Sequence, residues 1–197
     1  MLDRFPFLEA RVGTTALPLD AREEPVRSGE SHWGNFIVDQ MRTAFGEPVA
    51  DLAFINGGTL RIDDMTDGDI LFEDIGRTFG FSSFLRHTTV TGAEFRQIIE
   101  AGYRGSGGTQ GCFPQVSGFR VRVDRSRNEG NRIVSLQVPT EYVWDEIDAN
   151  KEYMVVPDFL FGGGHGYQIP KDRFASHPGS ELKYLVQDAI LAAQVHA

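Results

Sequence analysis

Hydrophobic positions along the chain alternate between two periods. From Ser31, Trp33, Phe36, Ile37, Met41, Ala44 and Phe45 recur at helical spacing, and Gly46 and Pro48 close the run. This predicts a helix opening near Ser31. The next apolar stretch, DLAFIN (51–56), is short and continuous and reads as a buried strand ending at Asn56. The acidic stretch from Asp63 to Asp69 reads as a loop, and residues 70–79 as a strand end followed by a short helix. FLRHTTV (84–90) alternates and reads as a strand. Thr91-Gly92-Ala93-Glu94 opens a second helix, with Phe95, Ile98, Ile99 and Tyr103 as its apolar stripe. FRVRVD (119–124) and RIVSLQV (132–138) alternate around a polar turn, which predicts a hairpin. YMVVPDFLF (153–161) is an apolar strand interrupted at Pro157. A last helix starts near Ser180 and turns Leu182, Leu185, Val186, Ala189 and Ile190 inward. Residues 1–30, with Pro18, Pro25 and the charged AREEP, read as irregular. Phe36, Phe54, Phe84 and Phe95 fall at core positions.

Helices and strands are interspersed without a regular strand–helix–strand repeat. This predicts an α+β, or mixed α/β, single domain. A length of 197 residues supports one core. No apolar run approaches the roughly 20 residues of a membrane span. The formal charge of −9 argues against a basic nucleic-acid footprint.

Most of the standard catalytic patterns are missing. Cys112 is the only cysteine, which excludes an intrachain disulfide and a cysteine zinc cluster, and it reads as a small buried hydrophobe. DDMTDGDILFED places Asp63, Asp67, Gly68 and Asp74 at calcium-loop positions. Met65, however, stands where an oxygen ligand is required, so a solvated turn is the better reading. His32, His87, His165, His177 and His196 form no zinc-binding spacing. GSGGTQG lacks the last glycine of a dinucleotide loop, no triphosphate loop occurs, and no GxSxG elbow is present.

Two places keep chemical interest. In INGGTLR (55–61), an apolar strand ends on Asn56 before two glycines and Arg61. Glycines at a strand end let a ligand approach the backbone, and an arginine can fork onto a carboxylate or phosphate. An ordinary turn with a surface salt bridge explains the same residues. In PDFLFGGGHGY (157–167), aromatic rings stand beside a triple glycine. They make either a stacking wall or core phenylalanines followed by a loop.

Six segments taken in order resemble one family: GESHWGNFIVDQMR, AFINGGTLR, TFGFSSFL, TVTGAEFRQIIEAG, CFPQVSGFRVRVD and VVPDFLFGGGHGY. Their order and spacing are similar to the C-terminal, substrate-binding domain of the 5′-nucleotidase family, which includes UDP-sugar hydrolases and 2′,3′-cyclic phosphodiesterases. The resemblance runs from about Val26 to about Tyr167. It implies a 5′-nucleotidase C-terminal-type domain over 27–197, with 1–26 as a lead-in or inter-domain hinge remnant. It implies that two aromatic rings sandwich a base, and Phe81 and Phe159 match them, with Phe79 a near competitor for the first. Asn56, Gly58 and Arg61 match the NGGxxR element, and Arg27 matches an arginine before the helix, although some members carry theirs where this chain has Gly29. His165 stands where the family's GGDGY-like loop has a ribose-binding aspartate.

The family's chemistry resides in an N-terminal metallophosphoesterase domain carrying two divalent metals on DxH, GNHE and GHxH motifs. Those motifs do not occur in these 197 residues. The resemblance therefore implies a nucleoside- or nucleotide-binding domain that partners a metallophosphoesterase domain and is inactive on its own. It implies no catalytic residue, metal or cofactor in this chain, and a periplasmic or extracellular setting. The alternative is a structural or interaction module that has lost nucleotide binding.

Overall fold

The computed structural model describes residues 6–104, 110–157 and 164–195. Nine strands and five α-helices occur among them. They are β1 (Arg11–Asp20), α1 (Glu23–Ser28), α2 (His32–Thr43), β2 (Leu52–Asn56), β3 (Met65–Leu71), α3 (Phe72–Thr78) and β4 (Thr88–Thr91). These are followed by α4 (Gly92–Glu100), β5 (Pro114–Ser117), β6 (Arg120–Val123), β7 (Ile133–Pro139), β8 (Trp144–Glu146), β9 (Glu152–Pro157) and α5 (Leu182–Val195).

A four-stranded sheet in the order β4-β9-β2-β5 divides the molecule. β2 and β9 run parallel, and the flanking pairs are antiparallel. Every residue of β2 is buried, as the continuous apolar run LAFIN requires for a strand covered on both faces. Its alternation divides it between two cores. Ala53 and Ile55 face Ile37, Met41, Leu182 and Val186 of α2 and α5. Leu52 and Phe54 face Phe95 and Ile99 of α4, together with Leu136 and Tyr167. A three-stranded sheet, β6-β7-β8, closes the second core.

Local chemistry explains the helix starts. Ser31 accepts the Gly34 N–H at 2.9 Å and caps α2. Thr91 and Glu94 form a reciprocal capping box on α4: the Thr91 N–H donates to Glu94 at 2.8 Å, and the Thr91 hydroxyl accepts from the Glu94 N–H at 3.3 Å.

Several sequence expectations are corrected. Most of the stretch read as irregular forms β1 and α1. The acidic stretch read as a loop is largely β3, which pairs antiparallel with β1. Two register shifts break this ribbon, and one of its faces lies open to water, so neither strand shows clean apolar alternation. FLRHTTV pairs as a strand only from Thr88. Leu85 is instead held by backbone bonds to Ser180 and Gly179, at 3.1 and 2.7 Å. Phe84, expected in the core, is half exposed at an isolated bridge to Glu181. Phe54 and Phe95 are fully buried, and Phe36 packs partly buried against the first core. Strands β5 and β8 carry no pattern that announces them. Cys112 is a buried free thiol whose pKa burial pushes up.

Candidate functional site

The buried strand β2 delivers Asn56 to its C-terminal end, and a single turn, Gly57–Thr59, follows. The turn is anchored from two sides. The Gly57 N–H donates to the Phe113 carbonyl at 2.7 Å, and the Gly58 N–H donates to the Gly111 carbonyl at 2.9 Å. The Asn56 amide donates to the same Gly111 carbonyl at 2.8 Å, and its oxygen accepts from the Thr59 hydroxyl at 3.0 Å. Asn56 is fully buried, so its amide forms part of the turn's frame as well as of the wall beyond it.

Close approach requires glycine at position 57 and leaves little room at 58. A Cβ on Gly57 would collide with the Val26 carbonyl oxygen, and one on Gly58 would stand 3.0 Å from the Asn56 amide nitrogen and the Gly111 carbonyl. The chain then leaves through Arg61, whose backbone N–H donates to Thr78 at 3.0 Å.

A cleft of 390 Å³ opens beside this turn, lined by Asn56, Gly58, Thr59, Arg61, Phe81, Ser82, Ser83 and His165. Three separate stretches of sequence thus meet at one concave surface. Phe81 is 71% exposed and presents its ring at the edge of the cleft. The Arg61 guanidinium lies 5.5 Å from the Phe81 ring centroid, within cation–π range. Ser83 is buried, and its hydroxyl has no hydrogen-bond partner among the described residues.

His165 has φ of 52°, a left-handed conformation uncommon for a residue with a Cβ. Its ring stands 3.3 Å from the position that a Cβ on Gly111 would take. Desolvation first, and then the charges of Arg27 and Arg61, hold its pKa below the ordinary histidine value. Arg27, in the last turn of α1, is mostly buried and pairs with Glu23 one turn earlier. Its buried Nε has no hydrogen-bond partner among the described residues.

Of the residues singled out from sequence, Asn56, Gly58, Arg61, Phe81 and His165 line this cleft; Arg27 is not part of the lining, and its charge acts on the His165 imidazole. Phe79 is buried in the first core and does not line the cleft. Phe159 lies outside the described residues. Thr59, Ser82 and Ser83 sit inside the motifs, yet nothing in the sequence assigns them a role.

Gln115 carries no sequence signal at all. It is fully buried. Its amide nitrogen donates to the Val26 and Gly29 carbonyls at 3.0 and 2.7 Å, and its oxygen accepts from the Ser31 N–H at 2.9 Å. These bonds fix the α1–α2 junction that carries Arg27. Its partners lie 84 to 89 residues away, so no local pattern announces them.

The cleft suits a flat aromatic ligand bearing an anionic or polar group. Among the described residues, no three of His, Cys, Asp and Glu gather as a metal-holding group. No helix among them is long and apolar enough to cross a membrane.

Comparison with known proteins gives this geometry its context. The family described as 5′-nucleotidase, C-terminal domain, matches residues 11–172. The trifunctional nucleotide phosphoesterase of Bacillus subtilis is 30% identical over 179 residues, covering 89% of this chain and 12% of that protein. Human 5′-nucleotidase is 29% identical over 188 residues, covering 86% of this chain and 32% of its own length. The crystal structure of a 5′-nucleotidase precursor from Thermus thermophilus superposes with a TM-score of 0.85 at 26% identity, covering 97% of this chain and 38% of that one. The chain thus spans less than a third of the length of these two curated relatives.

Proposed function

This chain belongs to the 5′-nucleotidase C-terminal domain family, and on that premise we propose that it is the substrate-binding domain of a phosphoesterase that hydrolyses nucleoside monophosphates or related phosphoesters. The observation that carries the reading is the convergence of Asn56, Gly58, Arg61, Phe81 and His165 on one cleft from three distant stretches of sequence. Phe81 stacks the base, and Phe159 is its proposed partner ring. Arg61 and Arg27 hold the charged part of the ligand, and Asn56 and Gly58 form the floor.

The metal ions of the reaction belong, in this reading, to a metallophosphoesterase domain outside these 197 residues. The described side chains do not fit a dinuclear site, because they supply no cluster of ligands. The domain's task is to bind and orient the substrate so that the partner domain attacks an already positioned phosphoester.

Calorimetric titration of the purified chain with adenosine and with AMP tests the reading. Saturable binding is expected, weakened by Phe81→Ala by about 1–3 kcal/mol, the scale of one stacked base. Failure of a cooperatively folded chain to bind either ligand at millimolar concentration overturns the reading.

A further inference from the structure

Besides Arg61 and His165, four polar side chains border the cleft, and the fold commits them differently. The Asn56 amide donates to the Gly111 carbonyl at 2.8 Å, and its oxygen accepts from the Thr59 hydroxyl at 3.0 Å. Both residues thus hold the turn itself together. Ser82 is exposed, so its hydroxyl exchanges a bond to water for a bond to a ligand at little net gain. Ser83 differs from all three. It is 6% exposed, and its hydroxyl is buried without a hydrogen-bond partner among the described residues. Within the described lining, Ser83 alone combines these two properties.

A buried hydroxyl without a partner opposes folding, so packing does not explain its place. The backbone at Ser83 is fixed. Its carbonyl accepts from the Leu182 N–H at 2.8 Å, and Phe84 forms a bridge to Glu181. The side chain is not fixed in the same way, because no bond holds its Oγ in one rotamer. Phe81, two residues earlier, presents its exposed ring at the same cleft. A flat ligand stacked on such a ring has its face covered and makes its hydrogen bonds along its edge.

We propose that Ser83 is a specificity-determining residue whose hydroxyl turns about χ1 into the cleft and bonds the polar edge of a ring stacked on Phe81. This rests on the substrate-binding reading above and deepens it by naming the group of the ligand that is read. A hydroxyl both donates and accepts, so it serves an exocyclic amino group and an exocyclic carbonyl alike. An amide such as that of Asn56, with its donor and acceptor ends fixed by the turn, lacks this freedom. The ligand class is therefore a heteroaromatic ring with an amino or oxo substituent on its edge. A ring with a bare hydrocarbon edge leaves the hydroxyl as unpaired as before and gains nothing from it.

Three nucleosides with the same sugar test this by calorimetric titration into wild type and Ser83→Ala: adenosine with an amino edge, inosine with an oxo edge, and benzimidazole riboside, whose six-membered ring carries neither nitrogen nor substituent. The wild-type-to-variant ratio for each ligand removes the differences in stacking between them. Ser83→Ala is expected to weaken adenosine and inosine by about tenfold each, the scale of one buried hydrogen bond, and to leave benzimidazole riboside within about twofold. The variant should melt at or above the wild-type temperature, because the hydroxyl it removes makes no bond within the fold. An equal loss for all three ligands, or no loss for any, overturns the inference and leaves the substrate-binding reading standing. So does a loss confined to adenosine or to inosine, which would show a one-way donor or acceptor. A clearly lower melting temperature, or failure of the variant to fold, also overturns it, by showing that the hydroxyl serves the fold. Binding of none of the three by the folded wild type overturns both readings.

Discussion

Gln115 and Val26, 89 residues apart in sequence, are joined by a hydrogen bond of 3.0 Å from the Gln115 amide to the Val26 carbonyl. That same carbonyl oxygen is the atom with which a Cβ on Gly57 would collide. One backbone atom thus ties the segment carrying Arg27 to the turn carrying Asn56, Gly58 and Arg61. Arg27 on α1 and Arg61 in the cleft's lining are thus placed relative to each other through this close approach of their two segments.

Replacing Gln115 should therefore cost stability. Gln115→Leu keeps much of the volume but leaves the Val26 and Gly29 carbonyls and the Ser31 N–H without their partner. A destabilisation of about 2–4 kcal/mol is expected, on the scale of a few buried unsatisfied groups. Urea unfolding at fixed m-value measures it, and a change below about 0.5 kcal/mol would show that the junction is held some other way.

Two glycine substitutions should move in opposite directions. Gly57→Ala drives a methyl into the Val26 carbonyl, and α1 must shift, at a cost of about 1–3 kcal/mol. Gly76 lies inside α3, and a methyl placed there would meet no described atom within 4 Å. Gly76→Ala is expected to stabilise by about 0.5–1 kcal/mol, the helix-propensity difference. Thermal melts of the two variants beside wild type check both signs.

Phe81→Ala should separate binding from folding. The ring is 71% exposed, so its removal should change stability by less than about 0.5 kcal/mol. A large drop in melting temperature would show that Phe81 packs as a core residue and would undercut its role as a stacking surface.

The alkaline limb of stability should be steep. Burial pushes the Tyr103 hydroxyl far above its ordinary range and raises the Cys112 thiol. In the unfolded chain both groups lose their protons near their ordinary values, while the folded chain retains them. The unfolded state then binds fewer protons, so stability falls as pH rises above about 8.5, first through Cys112 and then through Tyr103 above about 10. Cys112→Ala and Tyr103→Phe should each flatten their part of that limb in pH-dependent denaturation. A profile unchanged in both variants would refute the assignment.

Supplying divalent metal to the purified chain should not produce AMP hydrolysis, because the described side chains gather no metal-binding group. Phosphate release at a rate comparable with ordinary enzymes, in a preparation free of contaminating phosphatase, would overturn the proposed division of labour.

Patterns resolved within a few residues were legible in the chain itself. α2 and α4, with their caps at Ser31 and Thr91, and the buried strand β2 follow from apolar spacing and capping chemistry, which act over one or two turns. The order of the six motifs pointed to the family. Asn56, Gly58 and Arg61 stood out in INGGTLR as a strand end with glycines and a cation, whereas Arg27, Phe81 and His165 were named only through the resemblance to the family. Tertiary structure decided what depends on partners far away in sequence. β1 and β3 show no alternation by themselves and become strands only by pairing with each other. Phe84 leaves the core because Leu85 is held by Gly179 and Ser180. Gln115 gains its role from carbonyls that only folding brings to it. The lowered pKa of His165 arises in the same way: Arg27, Arg61 and His165 are separated along the chain, and the two arginines act on the imidazole only because folding brings them near it.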